Sequence, residues 1–177
     1  MSEQLHVLTV PSPAGDLTVV VEPGTGVLRG TSFWGADDIL GRLGLGPDEV
    51  VGGTGEPAPR TPATDRVVET FARYASGEID ALDALEVSQP GGPFTQRAWA
   101  AMREVHGVAT YAEIAETAGS ATAYRAAGSA CARNLVPVVV PCHRILTSDR
   151  RVGGYYFGGE TKTALLEHEG SLGSVHR

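Results

Sequence analysis

The amino-acid sequence predicts an α+β chain in two parts, a small antiparallel-sheet N-terminal half and a mostly helical C-terminal half. Three observations carry that expectation. β-Branched and apolar runs bounded by turn residues crowd the first 33 positions, the Pro/Gly-rich stretch Gln89-Pro90-Gly91-Gly92-Pro93 interrupts the middle, and beyond it apolar residues recur at helical spacing. With 177 residues, 42% of them hydrophobic, the chain can bury one good core or two small ones. The two domains are therefore set at residues 1–88 and 89–177.

Residues 5–10 read as a short strand that turns at Pro11-Ser12-Pro13-Ala14-Gly15. Leu17 to Val21 is a second strand, Gly24-Thr25-Gly26 a turn, and Val27 to Phe33 a third strand. Ala36 to Leu43 has helical spacing, with Asp37 and Asp38 in its first turn. Residues 44–62, rich in Gly and Pro, are expected to be irregular. Thr64 or Asp65 is placed to cap a helix through Ala75, whose buried face is Val67, Val68, Phe71 and Tyr74, and Gly77 stops it. Residues 83–93 form the linker candidate. After it come helices over Thr95–Val105, Tyr111–Gly119 and the small-residue stretch Ala121–Arg133. A strand-like run from Val136 to Val140 precedes Pro141, and a last helix, Lys162 to Glu169, stops at Gly170. No internal repeat is visible.

Charge separates the halves. The whole chain carries −7, but residues 1–91 hold 5 basic against 14 acidic side chains, and residues 92–177 hold 9 basic against 7 acidic. Phosphate binding depends on local potential, so the balance of +2 in the second part permits nucleic-acid contact from that side. No apolar run approaches the roughly 18 residues of a membrane span. The opening residues lack the basic-then-apolar pattern of a signal peptide, and two cysteines, Cys131 and Cys142, suit a reducing, cytoplasmic setting. The N-terminal half has no cysteine and one histidine, His6, so no metal is expected there, and no cofactor is expected at all.

The chemistry concentrates at Pro141-Cys142-His143-Arg144. A cysteine beside a histidine and an arginine reads as an activated thiol, because the thiolate is the nucleophile and a base or positive charge favours it. The same residue reads equally well as a buried small hydrophobe. On a strand, neighbouring side chains point to opposite faces, so His143 needs a turn or a bridging water to serve the sulfur.

An ordered series of motifs resembles the O6-alkylguanine-DNA alkyltransferases, also called methylated-DNA–protein-cysteine methyltransferases. Ser12-Pro13-Ala14-Gly15-Asp16-Leu17 is similar to that family's first hairpin and Tyr74-Ala75-Ser76-Gly77-Glu78 to the end of its N-domain helix. Phe94-Thr95-Gln96-Arg97-Ala98-Trp99 resembles the opening of the catalytic domain, and Thr110-Tyr111-Ala112-Glu113-Ile114-Ala115 the first helix of a helix-turn-helix. Arg125-Ala126-Ala127-Gly128, Asn134, Pro141-Cys142-His143-Arg144, Gly154-Tyr155 and Leu165-Leu166-Glu167-His168-Glu169-Gly170 follow in order.

The resemblance implies an RNase H-like N-terminal domain and a monomer that binds double-stranded DNA containing O6-alkylguanine. In that reading Cys142 takes the alkyl group irreversibly, His143 removes its proton through a water, and Glu169 holds His143, as in a Cys-His-Glu version of a triad. Tyr111 donates a hydrogen bond to the leaving base, Asn134 ties the recognition helix to the active-site segment, and Tyr155 and Tyr156 line the pocket. Ala123, Tyr124, Gly128 and Arg133 belong to the DNA-binding helix, and Arg125 fills the gap left by a flipped base. Arg97 is a second candidate for a phosphate. Without the resemblance, Tyr111 and Tyr155 read equally as packing residues, Glu169 as an exposed residue at a helix stop, and Arg125 as a solvated charge.

Four departures from the pattern stand out. Leu135 replaces the usual proline after the asparagine, and the loop Val105–Thr110 is one residue shorter and lacks its proline. Tyr124 is bulkier than the small residue expected there, and Tyr156 and Phe157 enlarge the aromatic content of the pocket loop. Three rivals carry less. A recognition-only relative would lack the nucleophile, a cysteine hydrolase would hold its base on a separate segment, and a helix-turn-helix regulator would carry several polar base-readers on its recognition helix.

Overall fold

A computed structural model describes residues 3–53 and 55–176. The chain forms two compact units, residues 1–89 and 90–177.

The first unit is built on strands β1 (Leu5–Val10), β2 (Leu17–Val21), β3 (Leu28–Ser32) and β4 (Val50–Gly52) in the order β3-β2-β1-β4. β1 with β2 and β2 with β3 are antiparallel, with Val7 opposite Val20 and Val20 opposite Gly30. β4 lies parallel to β1, so the sheet is antiparallel-rich and mixed rather than purely antiparallel. Successive residues Val19, Val20 and Val21 are all buried, so both faces of β2 are covered. Helix α1 (Ala36–Leu43) sets Ile39 against Val7, Val20 and Val50. Gly30 makes that approach possible, because a Cβ there would stand 2.6 Å from Ile39.

β4 falls in the segment expected to be irregular. Three residues ending in glycine give no periodicity to read, and the pairing comes from β1. Helix α2 (Pro62–Ala75) starts ahead of the expected cap. Thr61 accepts from the Thr64 amide at 3.1 Å and Pro62 occupies the first helical position, while Val67, Phe71 and Tyr74 form the buried face. The linker is shorter than expected. Leu28 donates to Glu86 O at 2.9 Å and accepts from the Ser88 amide at 2.9 Å, which fixes residues 86–88 beside β3.

The second unit holds α3 (Pro93–Arg103), α4 (Tyr111–Thr117), α5 (Tyr124–Arg133) and α6 (Gly159–His168), with short strands β5 (Ala109–Thr110) and β6 (Ile145–Leu146). Buried Trp99 of α3 donates Nε1–H to Ala130 O of α5 at 2.8 Å. α4 opens on a reciprocal cap in which Thr110 Oγ1 accepts from the Glu113 amide and Glu113 Oε2 accepts from the Thr110 amide. The parallel pair β5–β6 sets Ala109 beside Ile145 and Thr110 beside Leu146. The shortened loop before Tyr111 is thereby anchored to the residues that follow Cys142. Among the described residues, no helix is long and apolar enough to cross a membrane.

Candidate active site

The apolar run Val136–Val140 is not the strand its β-branched content suggests. Val138 takes φ 77°, Pro137 bridges to Val140, and the Val140 amide donates back to Val136 O at 2.9 Å. The segment is a buried turn, and Asn134 holds it. Its Nδ2 donates to Val140 O at 2.8 Å and to Cys142 Sγ at 3.3 Å, while its Oδ1 accepts from the Val136 amide at 3.0 Å. One buried amide thus satisfies groups that a strand ladder would otherwise pair, and it touches the thiol as well.

Cys142–Arg144 then form a single 3₁₀ turn closed by Arg144 N to Pro141 O at 3.0 Å. Three residues per turn aim Cys142, His143 and Arg144 in three directions, which answers the problem that a strand would have posed for His143. Cys142 lines a cavity of about 270 Å³. His143 is fully buried, and its Nε2 lies 2.9 Å from Glu169 Oε1. Its Nδ1 is buried and meets no hydrogen-bonding group of the protein. With Nε2–H donated to the carboxylate, Nδ1 is left as the basic nitrogen.

Glu169 sits at the C-terminal end of α6, where Gly170 at φ 70° reverses the chain and the Ser171 amide caps Leu166 O. Its side chain is only 2% exposed. Arg144, itself buried, donates Nε to Glu169 Oε2 at 2.8 Å and a terminal nitrogen to Oε1 at 3.2 Å, and its other terminal nitrogen donates to Val105 O at 2.6 Å. Burial alone would raise the Glu169 carboxyl, but His143 and Arg144 hold it far below the usual carboxylate range. Burial pulls His143 below 6.5 against the opposing pull of Glu169, so the imidazole is neutral at pH 7. The result is an ionised carboxylate fixed by an arginine and a neutral histidine fixed by that carboxylate.

Sequence reasoning missed Lys162, and it read Arg144 as a charge beside the thiol, whereas the guanidinium serves Glu169. Lys162, the chain's one lysine, is buried, donates Nζ to Ile145 O at 2.8 Å, and is pulled down by burial while Cys142 and Cys131 favour its charged form. A lysine in the first half of a helix reads as surface. The signal available for Arg144 was its place in the tetrapeptide, since an arginine beside a buried cysteine needs a carboxylate.

The cavity also meets Tyr111, Gly128, Cys131, Asn134 and Tyr155. Burial, then Cys131 and Cys142, push the Tyr111 hydroxyl up to about 12, so it is a donor at any physiological pH. Burial likewise raises the Cys131 thiol well beyond its ordinary value, so it stays protonated at pH 7. Tyr155 and Tyr156 both pack edge-on against buried Phe157, which carries the loop over the cavity.

On α5 the expected DNA-facing residues fall in two groups. Ala123 precedes the first turn, Tyr124 and Arg125 occupy it, and the Arg125 guanidinium lies over the Tyr124 ring at 5.8 Å. Gly128 faces Tyr111, and Arg133 is exposed at the far end with Nε near Ser129 O. Arg97 is engaged within the unit, donating Nε to Ala118 O at 2.8 Å.

A buried thiol on a cavity, an oriented histidine beside it and a carboxylate behind define a protein that uses cysteine as a nucleophile. Residues 93–171 match the family model described as 6-O-methylguanine DNA methyltransferase, DNA binding domain. The chain is 31% identical over 174 residues to a methylated-DNA–protein-cysteine methyltransferase of Mycobacterium bovis, covering 94% of this chain and 93% of that protein. It is 36% identical over 110 residues to the protein of the same name from Haemophilus influenzae, a match spanning 61% of this chain and 62% of that protein. Among solved structures it resembles Mycobacterium tuberculosis OGT in complex with DNA, with TM-score 0.67, 28% identity, and 94% and 93% of the two chains covered. The chain belongs to the methylated-DNA–protein-cysteine methyltransferase family.

Proposed function

We propose that this protein repairs O6-alkylguanine in double-stranded DNA by moving the alkyl group onto Cys142, once per molecule. The observation that carries the reading is the seat of Cys142, on a cavity and beside a neutral histidine held by Glu169. α4 and α5 act as the helix-turn-helix, with α5 in the minor groove and Arg125 in the space left by the rotated nucleotide. Arg133 contacts a phosphate. The protein works as a cytoplasmic monomer.

The Cys142 thiol gives its proton to His143 Nδ1 through a water, and Glu169 stabilises the imidazolium that forms. The thiolate attacks the alkyl carbon in line with the C–O6 bond. The S–C bond forms as the C–O6 bond breaks, and the electron pair passes into the guanine ring. Tyr111 donates a hydrogen bond as that negative charge develops, and Tyr155 walls the base. The proton that left the thiol is recovered by the guanine, so atoms and charge balance and the protein keeps a thioether. No water or second substrate can reverse the S–C bond, which is why the reaction is stoichiometric.

Limiting protein mixed with excess duplex containing O6-methylguanine tests this. Restored guanine, measured by chromatography of digested DNA, is expected to plateau at one mole per mole of protein. Continued turnover, or no restored guanine at all, would refute the proposal.

A further inference from the structure

We propose that Tyr124 is a specificity-determining platform at the cavity mouth, packing on the deoxyribose of the nucleotide whose base enters the cavity. The inference rests on the repair reading above and adds to it a residue that distinguishes a nucleotide in DNA from a free base.

Three observations converge. Gly128 and Cys131 line the cavity from α5, and Tyr124 stands four and seven residues before them on the same helix. Positions i, i+4 and i+7 share one face, so Tyr124 continues the cavity-lining lane one turn outward. Side chains on a helix lean toward its N-terminus, which here carries the ring outward from the lining residues Gly128 and Cys131. The ring is 50% exposed, whereas the two residues below it are largely covered. Exposed large aromatics are few among the described residues, and this one stands one helical turn before Gly128, which lines the cavity that holds the nucleophile.

The third observation is the cation–π contact with Arg125 at 5.8 Å. Arg125 follows Tyr124 directly on the helix, and its guanidinium lies over one face of the ring. The ring thus restrains Arg125 before DNA arrives and keeps one face for the incoming nucleotide. A base rotated into a cavity this small leaves its sugar at the rim. A flat, amphipathic ring with two side-chain torsions covers that sugar at low entropic cost. A free base has no sugar and gains nothing from the ring.

The test compares wild type, Tyr124→Ala and Tyr124→Phe on a duplex carrying one O6-methylguanine and on free O6-benzylguanine. The readout is the ratio of the two second-order rate constants. Tyr124→Ala is expected to lower that ratio about tenfold, the scale of one aromatic platform, and Tyr124→Phe to hold it within about twofold. A ratio unchanged in Tyr124→Ala would overturn the inference, as would a Tyr124→Phe ratio as low as that of the alanine variant. Wild-type protein that transfers from neither substrate would overturn the repair reading, and this inference with it.

Discussion

Replacing Glu169 by glutamine changes one atom and reaches every part of the site. The carboxylate accepts from His143 Nε2 at 2.9 Å and from Arg144 at 2.8 and 3.2 Å, with 2% of the side chain exposed. Glutamine offers one acceptor oxygen and a donor NH₂ where two donors already point. If its oxygen serves Arg144, its NH₂ faces His143 Nε2 and moves the imidazole proton to Nδ1. The side that serves the thiol then carries a proton and cannot take another. Loss of general base assistance slows transfer by about 10²- to 10⁴-fold. Arg144 also loses its counter-charge while still buried, which costs about 3 kcal/mol. A domain of ordinary stability, about 5 kcal/mol or more, stays folded after that loss, so the rate effect is separable from unfolding. Single-turnover transfer with protein in excess over lesion duplex reads the rate, and urea unfolding reads the stability. Transfer within about threefold of wild type, or a rate that falls only in proportion to the unfolded fraction, would refute the roles of His143 as base and Glu169 as its holder.

Stability should also follow pH through the same pair. Burial holds folded His143 below 6.5, so an unfolded chain binds the extra proton first, and stability that is full above pH 6.5 declines as pH falls toward the folded value. Glu169, held below its ordinary 4.5, adds a second decline as pH falls below that value, and His143→Phe should remove the first limb in urea midpoints measured against pH. Flat midpoints from pH 7 to 5 in wild type would contradict this. Asn134→Ala strips the buried Val136 amide of its partner and takes one of two donors from Val140 O, which keeps the Cys142 amide, and is expected to cost about 2 kcal/mol in denaturant unfolding. A loss below about 1 kcal/mol would show that the turn holds without it.

The sequence shows its fold where side-chain alternation and capping chemistry decide the outcome, and hides it where tertiary contacts do. β1, β2 and β3 alternate or run apolar between turn residues, and α1 lies where its spacing places it. Val136–Val140 reads as a strand by composition, yet Asn134 and the internal Pro137 fold it into a turn, a case of context overriding propensity. The site divides in the same way. Cys142 and His143 announce themselves as neighbours, but only the 3₁₀ turn shows how they avoid the opposite faces of a strand. Glu169 is indistinguishable in sequence from a solvated acid after a helix, since its burial depends on Arg144 and His143 arriving from 25 and 26 residues away. Lys162, and the pairing of Arg144 with Glu169, stay hidden because a charged residue is read as surface until its partner is known.

Mass spectrometry of the protein after incubation with a duplex containing one O6-methylguanine tests the central claim most directly. Transfer to Cys142 predicts a gain of one methylene's mass confined to the peptide bearing that residue, nothing on Cys131 whose thiol burial keeps protonated, and no gain in Cys142→Ala. A label on Cys131, a label surviving Cys142→Ala, or unmodified protein bound tightly to the lesion would contradict it.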